Sequence, residues 1–169
     1  MTRALLALLL LAGACTRRAP EEAEERRQVM EGLTLSQSEK GRPAWTLKSR
    51  RALLREESKT ATLDEPVMEF YEKGRKVSRV TAVAGEVDTE TRDVRLSSSV
   101  VLDSYEDKSH LTTDFLRYDS KKKLFKTDAD ILVKRPEGVL KGKGLEATPD
   151  LGEIRIFNQR STLSGTPGK

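Results

Sequence analysis

From Leu33 onward the chain reads as short alternations of apolar and polar residues. The clearest are Val80-Thr81-Ala82-Val83-Ala84, Val94-Arg95-Leu96, Val100-Val101-Leu102, Leu111-Thr112-Thr113, Phe125-Lys126-Thr127, Ile131-Leu132-Val133 and Ile154-Arg155-Ile156. In a strand, successive side chains point to opposite faces of the sheet, so each segment offers one apolar face and one more polar face. Thr89-Glu90-Thr91-Arg92, Ser120-Lys121-Lys122-Lys123 and Thr148-Pro149-Asp150 carry the residue types of turns between paired strands. No segment after Leu33 sustains a 3.6-residue apolar period, so the pattern predicts an all-β domain.

A lag of 31 residues brings the pattern onto itself. It aligns Asp88 with Asp119 and Asp150, Val94 with Phe125 and Ile156, and Ala82 with Thr113 and Gly144. The same lag aligns Val80 with Leu111, Val100 with Ile131, and Leu102 with Val133. A strand–turn–strand unit of this length cannot bury its apolar face alone, so stacked copies sharing one apolar interior are expected. The implied architecture is an elongated antiparallel sheet folded over on itself. A regular β-meander also gives matches at such a lag; the shared aspartate with an apolar residue six positions later goes beyond it.

The N-terminus has a different grammar. Met1-Thr2-Arg3 is a short positive start, Ala4 to Ala14 is small or apolar throughout, and Cys15 closes the run just before Arg17 and Arg18. As a helix the run would rise about 16 Å, half of a bilayer's hydrocarbon core, so it predicts a signal peptide rather than a membrane span. Leu11-Ala12-Gly13-Ala14-Cys15 is similar to a bacterial lipobox, with Ala12 where Leu is usual, and marks Cys15 for lipidation. An ordinary cleaved signal peptide with an incidental Cys15 is the alternative. The organisation expected is signal and lipobox over 1–15, a charged tether over 16–31, a β-domain over 32–164 and a short tail over 165–169.

Composition narrows the function. With 169 residues, 36% hydrophobic, the chain suffices for one domain with a modest core. One Trp, three Tyr and four Phe make no stacking platform, which disfavours single-stranded nucleic acid as a partner. The net charge of +4 comes from interspersed signs and specifies no partner. His110 is the only histidine and Cys15 the only cysteine, so no catalytic triad or metal cluster is assembled, and neither an enzyme nor a cofactor is expected. Asp128 and Asp130 share a strand face with Lys126 and Lys134, which reads as a neutralised outer surface. Lys141-Gly142-Lys143-Gly144 lacks the length and the following helix of a nucleotide loop; it reads as a strand with lysines outward and glycines inward.

Several segments, taken in order, carry a likeness. Trp45-Thr46-Leu47 is followed by Leu63-Asp64-Glu65-Pro66, Ala82-Val83-Ala84-Gly85-Glu86-Val87-Asp88, Leu111-Thr112-Thr113-Asp114-Phe115-Leu116-Arg117-Tyr118-Asp119 and Gly142-Lys143-Gly144-Leu145. Their order and spacing resemble the LptC family of lipopolysaccharide-export proteins over about residues 33 to 163. The resemblance implies an open β-jellyroll and a non-enzymatic role in the periplasm. Lipopolysaccharide would pass from an inner-membrane ABC transporter, LptBFG-like, to an LptA-like protein. It implies an acyl-chain groove lined by Trp45, Leu47, Leu63, Val80, Ala82, Val94, Leu96, Val100, Leu102, Leu111, Phe125, Ile131, Val133, Ile154 and Ile156. The same residues would form a plain core in a closed sandwich. By resemblance, the strand near Leu33 to Ser38 would meet the transporter. The last strand, with Ile154, Ile156, Asn158 and Leu163, would pair with the LptA-like partner. The family's usual N-terminal transmembrane helix is replaced here by the short Cys15 signal, which implies a lipid anchor, expected at the inner membrane and with the outer membrane as the alternative. A structural lipoprotein that docks partners through sheet edges without carrying lipid is the competing function.

Overall fold

The computed structural model describes residues 27–162. Eleven strands follow one another: β1 (Arg27–Glu39), β2 (Arg42–Arg55), β3 (Thr60–Asp64), β4 (Val67–Glu72), β5 (Arg75–Thr81), β6 (Ala84–Asp88), β7 (Val94–Ser104), β8 (His110–Asp119), β9 (Leu124–Arg135), β10 (Gly138–Ala147) and β11 (Ile154–Thr162). All belong to one antiparallel sheet, and no helix occurs among the described residues. β1 takes in Arg27–Glu31, expected as the end of the tether; its two apolar residues, Val29 and Met30, are adjacent and so give no alternation from which a strand could be read.

The sheet is a meander whose strands are interrupted halfway. β3 and β4 lie end to end along β2, with Asp64 opposite Arg51 and Val67 opposite Lys48. β6 and β5 continue in the same way, and both then pair with β7. The interruptions line up from strand to strand: Glu65-Pro66, then Ala82-Val83, then register shifts at Ser97–Val100, Thr113–Arg117 and Lys143–Leu145. The Glu65 N–H donates to the Val83 carbonyl at 2.9 Å and the Val83 N–H to the Ser98 carbonyl at 3.0 Å, so the ladder continues through this crease. Glu65, Ser98 and Ser99 hold φ of +50°, +66° and +55° there. Left-handed backbone at such side chains is costly, about 1 kcal/mol each, and is the signature of bulges that bend a sheet.

The 31-residue lag has a structural meaning. Asp88, Asp119 and Asp150 sit at the β6–β7, β8–β9 and β10–β11 turns, which an antiparallel meander places at one end of the sheet. Each carboxylate accepts turn N–H groups: Glu90 and Thr91 donate to Asp88 (2.9 and 2.8 Å), Lys122 to Asp119 (2.8 Å), Gly152 to Asp150 (3.1 Å). Thr113 and Gly144 begin or occupy register shifts at the crease, and Ala82 lies in the gap between β5 and β6. The repeat is therefore the path from one turn to the next on the same side.

Folding at the crease brings the two halves of the apolar face together. Trp45 and Phe70 are register partners, as are Tyr118 and Phe125. Phe70 meets Tyr118 and Phe125 with ring centroids 5.0 and 5.3 Å apart, and Trp45 meets Tyr118 at 6.3 Å. The result is a jellyroll-like fold with one continuous interior.

Candidate functional site

The interior is the largest chemical feature of the molecule. Of the fifteen residues expected to line one apolar face, Trp45, Leu47, Leu63, Val80, Val94, Leu96, Val100, Leu102, Leu111, Phe125, Ile131 and Val133 are buried in a single cluster. Ala82, Ile154 and Ile156 are partly buried and pack against it. Sequence reasoning missed Met68, Phe70, Leu116, Tyr118, Leu145 and Leu151, all buried in the same cluster. Met68 and Phe70 carried a readable alternation. Leu116 and Tyr118 did not, because the shift between Thr113 and Arg117 moves the inward phase of β8 from odd to even positions. Leu151 lies outside any strand, in the β10–β11 connection.

Among the described residues this interior is bounded by two uncovered edges. β1 and β11 each pair with one strand and not with each other, so the sheet does not close into a barrel. Open edges present unpaired backbone donors and acceptors to any strand that matches them. On β11, Ile154 and Ile156 face the interior while Phe157 stands 57% exposed beside Asn158. Leu163 and Cys15 lie outside the described residues. The β1 edge carries a clasp: Arg92 donates to Gln37 Oε1 at 2.6 Å and to the Ser36 carbonyl at 3.4 Å, and Lys123 pairs with Glu39 at 2.6 Å.

Two clefts open onto this framework. One, of about 1220 Å³, follows the crease on the β7–β11 side and is bordered by the register row Val100, Thr113, Ile131, Gly142 and Gln159. Val100 and Ile131 remain 0% and 4% exposed, so the apolar wall is closed. Gly142 has no room for a side chain, since an added Cβ would collide with the Ile156 methyl. The other cleft, about 800 Å³, is floored by Trp45, Phe70 and Tyr118 at the end of the interior, with Glu39 and Lys123 on its rim. Burial, with Glu39, Asp119 and Asp93 nearby, holds the Tyr118 hydroxyl protonated far beyond the ordinary phenol range.

The polar groups weighed from sequence lie outside the interior. His110 Nδ1 is 2.6 Å from Asp103 Oδ1 across β7 and β8, with both side chains over 40% exposed. Asp128 and Asp130 are exposed, and Lys126 pairs with Glu146 of β10 at 2.5 Å rather than with them. Lys141 and Lys143 point to solvent. No group of three metal-ligating side chains forms among the described residues.

The sequence profile of the family described as lipopolysaccharide-assembly, LptC-related, matches residues 4–163. The chain belongs to the LptC family. Membership makes it a component of lipopolysaccharide transport in the cell envelope, and LptC is a family of transport components rather than of enzymes. No individually curated protein matches the chain. The all-β, folded-over sheet agrees with the jellyroll expected from the LptC resemblance.

Proposed function

We propose that this LptC-family protein accepts lipopolysaccharide from an inner-membrane ABC transporter and passes it to an LptA-like jellyroll without covalent chemistry. The observation that carries the reading is an apolar face continuous from one open sheet edge to the other. Acyl chains would lie against Val100, Ile131 and their neighbours, the β1 edge would meet the transporter and the β11 edge the LptA-like partner. A chain of about twelve carbons gains roughly 10 kcal/mol on leaving water, which offsets the parting of two packed apolar faces. Cys15 would carry the lipid anchor that keeps the protein at the inner membrane.

Close packing of the interior favours a second reading, in which the edges dock envelope partners and the apolar face is only a core. A photoreactive side chain at Phe157, on β11, tests the partner docking common to both. Adducts with an LptA-like protein are expected, and their absence from a folded, anchored protein contradicts the β11 assignment. Lipid adducts from the interior separate the two readings.

A further inference from the structure

The cleft at the end of the interior has a feature that a plain core does not need. Trp45 and Tyr118 are 2% and 3% exposed and line it, yet neither the indole N–H nor the phenol hydroxyl has a hydrogen-bond partner among the described residues. Buried tyrosines and tryptophans ordinarily find a partner for these groups, because leaving one unmade costs much of its solvation. Neither atom is among the fully enclosed unpartnered ones, Thr46 Oγ1, Ser78 Oγ, Ser109 Oγ and Arg135 Nε. Both therefore keep contact with the cleft.

The rim adds charge. Lys40, Arg42 and Lys73 border the opening and form no ion pair among the described residues, while Glu39 is already matched by Lys123; Glu72, Asp150 and Glu153 share the rim, so the two signs balance there. An aromatic floor, two donors without acceptors and unpaired cations suit a ligand that is part ring and part anion. An acyl chain offers no acceptor along its methylenes and would leave both donors unmade.

We infer that this mouth is a headgroup subsite, in which Trp45 Nε1–H and Tyr118 Oη–H donate to the phosphorylated sugar end of a glycolipid whose chains enter the interior. The inference rests on the lipid-carrying reading above and adds to it a site for the polar end. Arg42 and Lys73 are the groups that would pair with its phosphate, on a rim that also carries Glu72, Asp150 and Glu153.

Trp45 is the only tryptophan of the chain, so its emission reports on this cleft alone. The full chain in phosphatidylcholine vesicles is titrated with lipid A, with dephosphorylated lipid A and with lauric acid, alongside Tyr118→Phe and an Arg42→Gln/Lys73→Gln double variant. The expected result is a saturable change in Trp45 emission with lipid A, about five- to tenfold weaker binding in Tyr118→Phe, and a similar loss on removing the phosphates or the rim cations. The double variant lies on the rim and keeps the test open if Tyr118→Phe disturbs folding. Unchanged lipid A affinity in both variants, or an equal response to lauric acid, overturns the subsite. Lipid adducts at Ile131 with that negative result leave transport standing without a headgroup site. No adducts and no Trp45 response sink both.

Discussion

Phe70 of β4 and Tyr118 of β8 stand edge-on at 5.0 Å, although three strand spacings, about 14 Å, separate their strands along the sheet. The contact passes through the interior and is what the fold over the crease achieves. Phe70→Ala should lower unfolding free energy by about 3–5 kcal/mol, because it removes a buried ring packed against Tyr118 and Phe125. Phe157→Ala, on the exposed side of β11, should change it by less than about 0.5 kcal/mol. Chemical denaturation of the two variants checks this, and equal losses would contradict the folded-over arrangement.

Gly142 tests the seat of β11. Gly142→Ala pushes its methyl into Ile156, so a loss of about 1–3 kcal/mol is expected, with weaker partner adducts from Phe157. Gly138→Ala is the comparison: it meets only the strain of φ +153° and touches nothing. Partner adducts unaffected by Gly142→Ala would mean that β11 does not depend on this contact.

The clasp on β1 should govern local opening more than global stability. Arg92→Ala and Lys123→Ala remove exposed contacts, each expected to contribute under about 1 kcal/mol. Hydrogen exchange at Leu35–Ser38 should nevertheless quicken in Arg92→Ala, since Ser36 loses the guanidinium at its carbonyl. Unchanged exchange would show that β1 is held by pairing with β2 alone.

Acid should weaken the fold in a defined window. The Glu69 carboxyl is held below its ordinary value by its hydrogen bond from Lys76, Glu146 by that from Lys126, and Asp88 by the Thr91 and Glu90 backbone N–H groups. Carboxyls depressed in the folded state contribute stability above their unfolded values, near 4.5 for glutamate and 3.8 for aspartate, and lose it as pH falls through the folded ones. The denaturation midpoint should be level from about pH 6 to 8 and fall below about pH 5. Glu69→Gln should flatten part of that fall. An identical acid profile in Glu69→Gln would remove the Lys76 pair from the explanation.

Much of this was legible in the chain because strand alternation and turn chemistry are local. The 31-residue lag marked three Asp-capped turns at one end of the sheet, and alternation found nine buried residues of the interior, with Trp45, Leu47 and Leu63 added by the family resemblance. What escaped depended on the crease. Alternation counted from Leu111 points Phe115 inward, whereas the shift after Thr113 turns Leu116 and Tyr118 in instead. The same phase change occurs in β10, where Gly144 lets Leu145 and Ala147 face the core after Leu140 and Gly142. Unpartnered donors at Trp45 and Tyr118 were invisible for another reason: lack of a partner is a property of the assembled cleft.

The central claim is that the apolar face receives acyl chains. An aliphatic diazirine side chain placed at Val100 or Ile131, with outward Arg95 as control, tests it in cells. Aspartate at these sites would not, since an unpaired charge buried there unfolds the protein. Lipopolysaccharide adducts at Val100 and Ile131 but not at Arg95 are the predicted result. Adducts at none of the three, with the protein folded and bound to its partners, would contradict the account and leave the interior a core.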